Sequence, residues 1–217
     1  MFRDRVDAGR RLARRLEYYK GSGAVVLAIP RGGVVVGDKV AEELNLPLDL
    51  IIPRKIGAPG NPELAIGAVV TRDRPMINEP LVQELGVPDS YIESEIEEQL
   101  NEIIRRRKLY LGDRAPIPLK DRVVIIVDDG LATGYTALAA INAVKQQYPE
   151  KLVLAIPVAP ADTYDRMKRK VDEIVCLEVH ELFFAVGQFY EDFSQTTDAE
   201  VIDILSKYRN SYQSTDV

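Results

Sequence analysis

The sequence predicts an α/β protein built on a doubly wound parallel sheet, with a helical insert and a small C-terminal addition. Three observations carry this expectation. Apolar runs of strand length alternate with helix-like segments along most of the chain. Runs such as 24–29 and 123–127 are apolar at every position, the pattern of parallel strands covered by helices on both faces. Finally, 217 residues with no internal repeat and no long linker fit one enlarged domain, since domains run to roughly 150 residues.

Each element has its own justification. Residues 4–19 read as a helix: Val6, Leu12, Ala13 and Leu16 share a face, arginines cover the rest, and Gly21 and Gly23 stop it. The first strand, 24–29, ends at Pro30-Arg31-Gly32-Gly33 and leads to a helix at about 34–44. A second strand, 48–52, runs into the Gly- and Pro-rich stretch 53–62, and 65–70 is a third strand. A helix at 90–111 dominates an insert spanning 79–111. Ser90 and Glu93 fit a capping box, and Ile92, Ile96, Leu100, Ile103 and Ile104 form the apolar stripe. Acids at its start and the bases Arg105, Arg106, Arg107 and Lys108 at its end match the helix dipole, which accounts for that basic run without a nucleic-acid surface. Strand 123–127, helix 134–147, strand 152–157, helix 161–170 and strand 173–179 follow. Thr197 and Glu200 repeat the capping-box spacing before a last helix near Asp198. The chain is therefore expected to be a single domain, 1–217, with a core at about 24–178 and a tail at 180–217.

Composition excludes several functions. Asp and Glu outnumber Lys and Arg by 34 to 28, a formal charge of −6 that argues against coating nucleic acid. The single cysteine, Cys176, rules out an intramolecular disulfide and reads as a packed small hydrophobe. The single histidine, His180, rules out a paired-histidine metal site. The apolar runs are too short to cross a bilayer. The Arg-rich N-terminus carries Asp4 and Asp7 and no serine before Ser22, unlike a transit peptide, so a cytoplasmic protein is expected.

Ligands of such sheets bind beyond the carboxyl ends of the strands. There, Val123–Val127 runs directly into Asp128 and Asp129, where desolvation and mutual repulsion both oppose a carboxylate pair. Such a pair persists when it holds hydroxyl groups or a cation. Small and hydroxyl residues then open a helix: Ala132, Thr133, Gly134, Tyr135 and Thr136, a site for one phosphate group. Diol-binding acids beside a phosphate cradle describe a ribose 5-phosphate site. A receiver-type acidic pocket also uses a strand ending in two aspartates, but there the pair follows the first strand, and here it follows the fourth of those predicted.

The stretch 123–136 resembles the phosphoribosyl-pyrophosphate (PRPP) signature of the type I phosphoribosyltransferase family, and is closest to its Ala-Thr-Gly form. The remaining motifs come in the order that family requires. Residues 29–33 resemble its pyrophosphate loop, in which Gly32 and Gly33 let backbone approach the diphosphate and Arg31 adds a cation. The family often carries a non-proline cis peptide here, expected at Arg31–Gly32. Arg54 and Lys55, with the stretch through Pro62, resemble its mobile catalytic loop, and 53–69 resembles a broad group of prokaryotic phosphoribosyltransferases without an assigned substrate.

The resemblance implies transfer of the 5-phosphoribosyl group from PRPP to a nitrogen nucleophile, a nucleobase in the favoured case, through a transition state with positive charge on the ribose. In that scheme Asp128 and Asp129 grip the ribose hydroxyls and reach Mg²⁺ through water, and 132–136 hold the 5-phosphate. Arg31, Arg54 and Lys55 stabilise the leaving pyrophosphate. An aromatic cluster after the last strand supplies Phe184 or Phe189 to stack on the base in a C-terminal hood. The partners are then PRPP and a small acceptor, with no nucleic acid or membrane and with homo-oligomerisation left open. The chain departs from the family pattern at Ala132, which removes an acid able to assist the base, at Tyr135, and at Gly130. A PRPP-binding regulator without transferase activity and a sugar-phosphate hydrolase are the rival readings.

Overall fold

The computed structural model describes residues 1–72 and 75–208, except for the side chain of Glu63. Its centre is a parallel sheet of five strands, in spatial order β2-β1-β6-β7-β8. These strands are β1 (Val25–Ala28), β2 (Leu48–Leu50), β6 (Val123–Val127), β7 (Lys151–Pro160) and β8 (Glu173–His180). The pleat sends alternate residues to opposite faces. Val26, Ala28, Ile125, Val127, Val153 and Ala155 join one core with helices α1 (Arg5–Arg15), α2 (Gly32–Leu44) and α7 (Asp198–Ser206). Val25, Leu27, Val124, Ile126, Leu152 and Leu154 join the other with α5 (Tyr135–Lys145) and α6 (Ala161–Lys168). Apolar side chains are needed on both faces, which is why these strands do not alternate. No helix among the described residues is long and apolar enough to cross a membrane.

The stretch between β2 and β6 departs from expectation. Residues 53–62 are not a loop and 65–70 is not a strand of the main sheet. Instead β3 (Arg54–Ala58) and β4 (Asn61–Val69) form an antiparallel hairpin, extended by β5 (Met76–Ile77) into a separate three-stranded sheet. Its apolar side, with Ile56, Ile66 and Val69, is buried against α3 (Glu79–Leu85) and α4 (Asp89–Leu111) through Val82, Ile92 and Leu100. That burial compensates a hairpin which its Gly and Pro content alone would disfavour. Gly57 faces Pro62 so closely that a Cβ would lie 2.8 Å from the Pro62 carbonyl oxygen, and Gly60 takes a φ of 73° in the turn.

Smaller differences have local causes. The capping box at Ser90 and Glu93 does not form, because α4 begins one residue earlier, after Pro88, and Ser90 falls inside the first turn. Ile104 is exposed rather than part of the stripe. Arg105 and Arg106 pair with Glu102 on the same helix. The first helix ends at Arg15, followed by a 3-10 turn over Glu17–Tyr19. The capping box of Thr197 and Glu200 does form. The tail folds back on the N-terminus: Phe2 N–H donates to the Phe189 carbonyl at 2.8 Å, and Glu191 N–H donates to that of Phe2 at 2.9 Å. Residues 209–217 of the predicted tail lie outside the described residues.

Candidate active site

The chain leaves β1 toward β2 on one side and leaves β6 toward β7 on the other, so the carboxyl ends of β1 and β6 frame the crevice where the topology switches. The acid pair follows the third strand of this sheet in chain order, not the fourth, since the predicted strand 65–70 belongs to the hairpin. Both turns at the crevice carry the expected residues, and they are in contact. A Cβ on Gly33 would lie 2.9 Å from Asp128 Cα and Oδ1, and one on Gly32 would lie 1.9 Å from Asp129 Oδ2. The two glycines are thus required by the acid pair itself. The cis peptide bond in this turn joins Pro30 and Arg31, one position before the expected Arg31–Gly32.

Asp128 accepts the Asp129 N–H on Oδ1 at 2.8 Å. Burial, reinforced by the charge of Asp129, holds its carboxyl well above the usual carboxylate range. Asp129 Oδ2 accepts from Arg5 Nε at 2.8 Å, and its carbonyl accepts the Tyr190 hydroxyl at 2.6 Å. Each aspartate thereby commits one carboxylate oxygen to a donor of the protein, and the two carboxyls lie within hydrogen-bonding reach of each other. No cluster of three or more His, Cys, Asp and Glu able to hold a metal occurs among those residues. Two adjacent carboxyls suit a divalent ion that keeps most of its ligands from water and substrate, as Mg²⁺ does.

Next along the chain, Ala132–Thr136 turns into α5 around Gly134, the N-cap, with φ 73°. A Cβ on Gly134 would lie 2.9 Å from Thr163 Cγ2, so this glycine serves both the turn and the packing of α6 against it. Thr163 Oγ1 donates to the Ala132 carbonyl at 3.0 Å, and Arg166 donates to that of Thr133. The loop's carbonyls are held from behind by α6, which leaves the N–H groups at the start of α5 for an anion. Arg166 also sits 6.0 Å from the centroid of Tyr135, whose ring stands where the family pattern has a small residue.

The predicted cations divide into two places. Arg31, the N-cap of α2, pairs with Asp198 at 3.6 Å, and Asp198 also accepts the Tyr110 hydroxyl at 2.6 Å. It lies beside the acid pair through its neighbour Gly32. Arg54 and Lys55 stand on β3 and make no bond to the acid pair. They line a cleft of about 580 Å³ that also includes Glu95, Gln99 and Thr136, the last residue of the Ala132–Thr136 turn. Arg54 Nε donates to Gln99 Oε1 at 2.9 Å, and burial lowers its pKa.

In the hood, the two aromatic candidates separate. Phe189 is 8 % exposed, stacked by His180 at 4.4 Å and flanked by Phe183 at 5.0 Å, and it packs in the core of the tail. Phe184 is 88 % exposed. Cys176 is packed as expected, and burial pushes its thiol up to about 12. Arg5 and Arg166 carry no local motif and reach the site from distant segments, whereas Tyr190 belongs to the aromatic cluster after the last strand, and its bond to the Asp129 carbonyl had no signal in the sequence.

The sequence profile of the "Phosphoribosyl transferase domain" matches residues 4–194. Proteins named "Putative phosphoribosyl transferase" in two strains of Mycobacterium tuberculosis are 42% identical over 212 residues, which is 98% of this chain and 48% of theirs. The chain therefore spans about half the length of these relatives. The crystal structure of TT1426 from Thermus thermophilus is 40% identical, with a TM-score of 0.82, over 96% of this chain and 99% of that one. The fold, the order of motifs and these likenesses agree, and the chain belongs to the phosphoribosyl transferase domain family.

Proposed function

We propose that this chain transfers the 5-phosphoribosyl group from PRPP to a nitrogen nucleophile, a nucleobase in the favoured reading, and releases pyrophosphate. The observation that carries the reading is the crevice between β1 and β6. There a half-buried acid pair stands beside the glycine turn of α2, with the N-terminus of α5 next along the chain.

PRPP fits this arrangement group by group. The α5 N-terminus takes the 5-phosphate, Asp128 and Asp129 take the ribose hydroxyls, and Gly32, Gly33 and Arg31 receive the pyrophosphate. The bond from ribose C1 to the pyrophosphate oxygen breaks with its electron pair leaving on pyrophosphate. The acceptor nitrogen then bonds to C1 and loses a proton. Positive charge grows on the ribose between these events, and fixed carboxylates beside it favour that state without reorganising. Mg²⁺, reached by Asp128 and Asp129, would neutralise charge on the pyrophosphate. Arg54 and Lys55, on a hairpin whose base adjoins Thr136, would close over the leaving group and exclude water. Ala132 offers no proton acceptor, so the acceptor base is not assisted at that position. Exposed Phe184 is the aromatic face free to stack on a base.

The test is pyrophosphate release from PRPP and Mg²⁺ across a panel of purines, pyrimidines and small amines. Release that depends on one class of acceptor supports the transferase. Tight PRPP binding with no release for any acceptor favours a PRPP-responsive regulator instead.

A further inference from the structure

Arg5 has no part in the reaction as described, yet its guanidinium is held on three sides within the site. Nε donates to Asp129 Oδ2 at 2.8 Å, Nη1 donates to the Ser194 carbonyl at 2.7 Å, and the group lies 3.9 Å from the centroid of the Phe193 ring. The side chain is 11 % exposed, so this is not a surface arginine that happens to reach a carboxylate. Its backbone is equally constrained. Asp4 caps α1 by accepting the Asp7 N–H at 2.7 Å, and the residues before it pair with the tail at Phe189, Glu191 and Asp192. Gly32 is what makes room: a Cβ there would lie 2.6 Å from Arg5 Nε as well as 1.9 Å from Asp129 Oδ2.

A lone aspartate beside a buried aspartate would turn away from it. The single bond from Arg5 Nε removes that freedom by fixing one oxygen of Asp129, and so dictates where the other points. We propose that Arg5 is a positioning residue of the ribose site: it orients Asp129 so that one oxygen of each aspartate faces the ribose hydroxyls, and it ties that geometry to the 193–194 segment of the tail. The proposal rests on the acid pair being a ribose site.

The experiment titrates PRPP and ribose 5-phosphate, each with Mg²⁺, and inorganic phosphate without it, into the full chain and into Arg5→Gln, followed by calorimetry. Losing a charged hydrogen bond that orients Asp129 is expected to weaken PRPP and ribose 5-phosphate about ten- to hundredfold. Inorganic phosphate has no hydroxyl pair and binds at the α5 N-terminus, away from Arg5 and Asp129, so its affinity is expected to change by less than about twofold. Arg5→Lys keeps the charge and one donor, and is expected to recover part of the loss. Unchanged affinity for the two ribose ligands in Arg5→Gln overturns the proposal, and so does an equal loss for all three ligands, which is what a merely structural arginine would give. If Arg5→Gln does not fold, the same ribose-selective loss, smaller in size, is required of Arg5→Lys, and its absence overturns the proposal. Failure of the unaltered chain to bind either ribose ligand is distinguishable from these results, because it refutes the ribose site itself.

Discussion

Replacing Gly32 by alanine adds one methyl group at the place where β1 and β6 meet, and the structure gives the consequence in distances. The new Cβ would stand 1.9 Å from Asp129 Oδ2 and 2.7 Å from its Cγ. Ordinary contact begins near 3.4 Å, so Asp129 must retreat by about 1.5 Å. Arg5 Nε, 2.6 Å from the same point, must also give way, so the 2.8 Å bond between them cannot survive as it stands. Both partners are held elsewhere, Asp129 by the backbone of its strand end and Arg5 by Ser194 and Phe193. Overpacking of this kind costs roughly 1–3 kcal/mol of stability. A charged hydrogen bond is worth about 1.5–3 kcal/mol, which predicts a ten- to hundredfold loss of PRPP affinity. Denaturant unfolding and calorimetric titration of PRPP measure the two effects. Gly86→Ala is the control: it has φ 62° but open space around it, so it costs only the backbone penalty of roughly 1–2 kcal/mol and leaves binding unchanged. Gly32→Ala with wild-type affinity would show that Asp129 is not held as the structure places it.

Three further outcomes follow from the same geometry. Asp128 has a raised pKa in the folded chain, so folded protein binds more protons than unfolded between the ordinary value of 3.8 and the raised one, and stability falls as pH rises through that window. Asp128→Asn removes this cost, and without ligand it should melt higher than wild type at pH 8, with the gap closing toward pH 4; a lower melting point at pH 8 contradicts the burial argument. Phe189→Ala is expected to cost about 3–5 kcal/mol of stability, whereas exposed Phe184→Ala should stay within about 0.5 kcal/mol and act only on acceptor KM; thermal melts and steady-state kinetics separate them. Replacing the hairpin tip at 57–62 with a short glycine link should reduce turnover more than PRPP affinity, and equal loss of both would argue against a lid.

Much of this was legible in the chain. The apolar runs that became β1, β6 and β7 could be read because a doubly covered strand needs no polar face. Asp128, Asp129 and the turn through Thr136 were legible because the chemistry sits in consecutive residues. The hairpin was not: its Gly and Pro residues signal a loop, and the burial that stabilises it comes from α4, about forty residues downstream. Phe184 and Phe189 have the same local composition around them, and only the packing of His180 and Phe183 decides which is buried. Arg5 left no signal at all, since its contact with Asp129 joins residues 124 positions apart. What could be read was local or periodic, and what could not was settled by which surfaces meet.

The central claim is that Asp128 and Asp129 form the ribose grip of a PRPP site. Calorimetric titration of PRPP with Mg²⁺ into the unaltered chain and into the double variant Asp128→Asn plus Asp129→Asn tests it directly. Two charge-assisted contacts are lost while shape is kept, so binding by the unaltered chain and a loss of more than about a hundredfold in the double variant are predicted. Equal affinity in the two proteins would contradict the assignment.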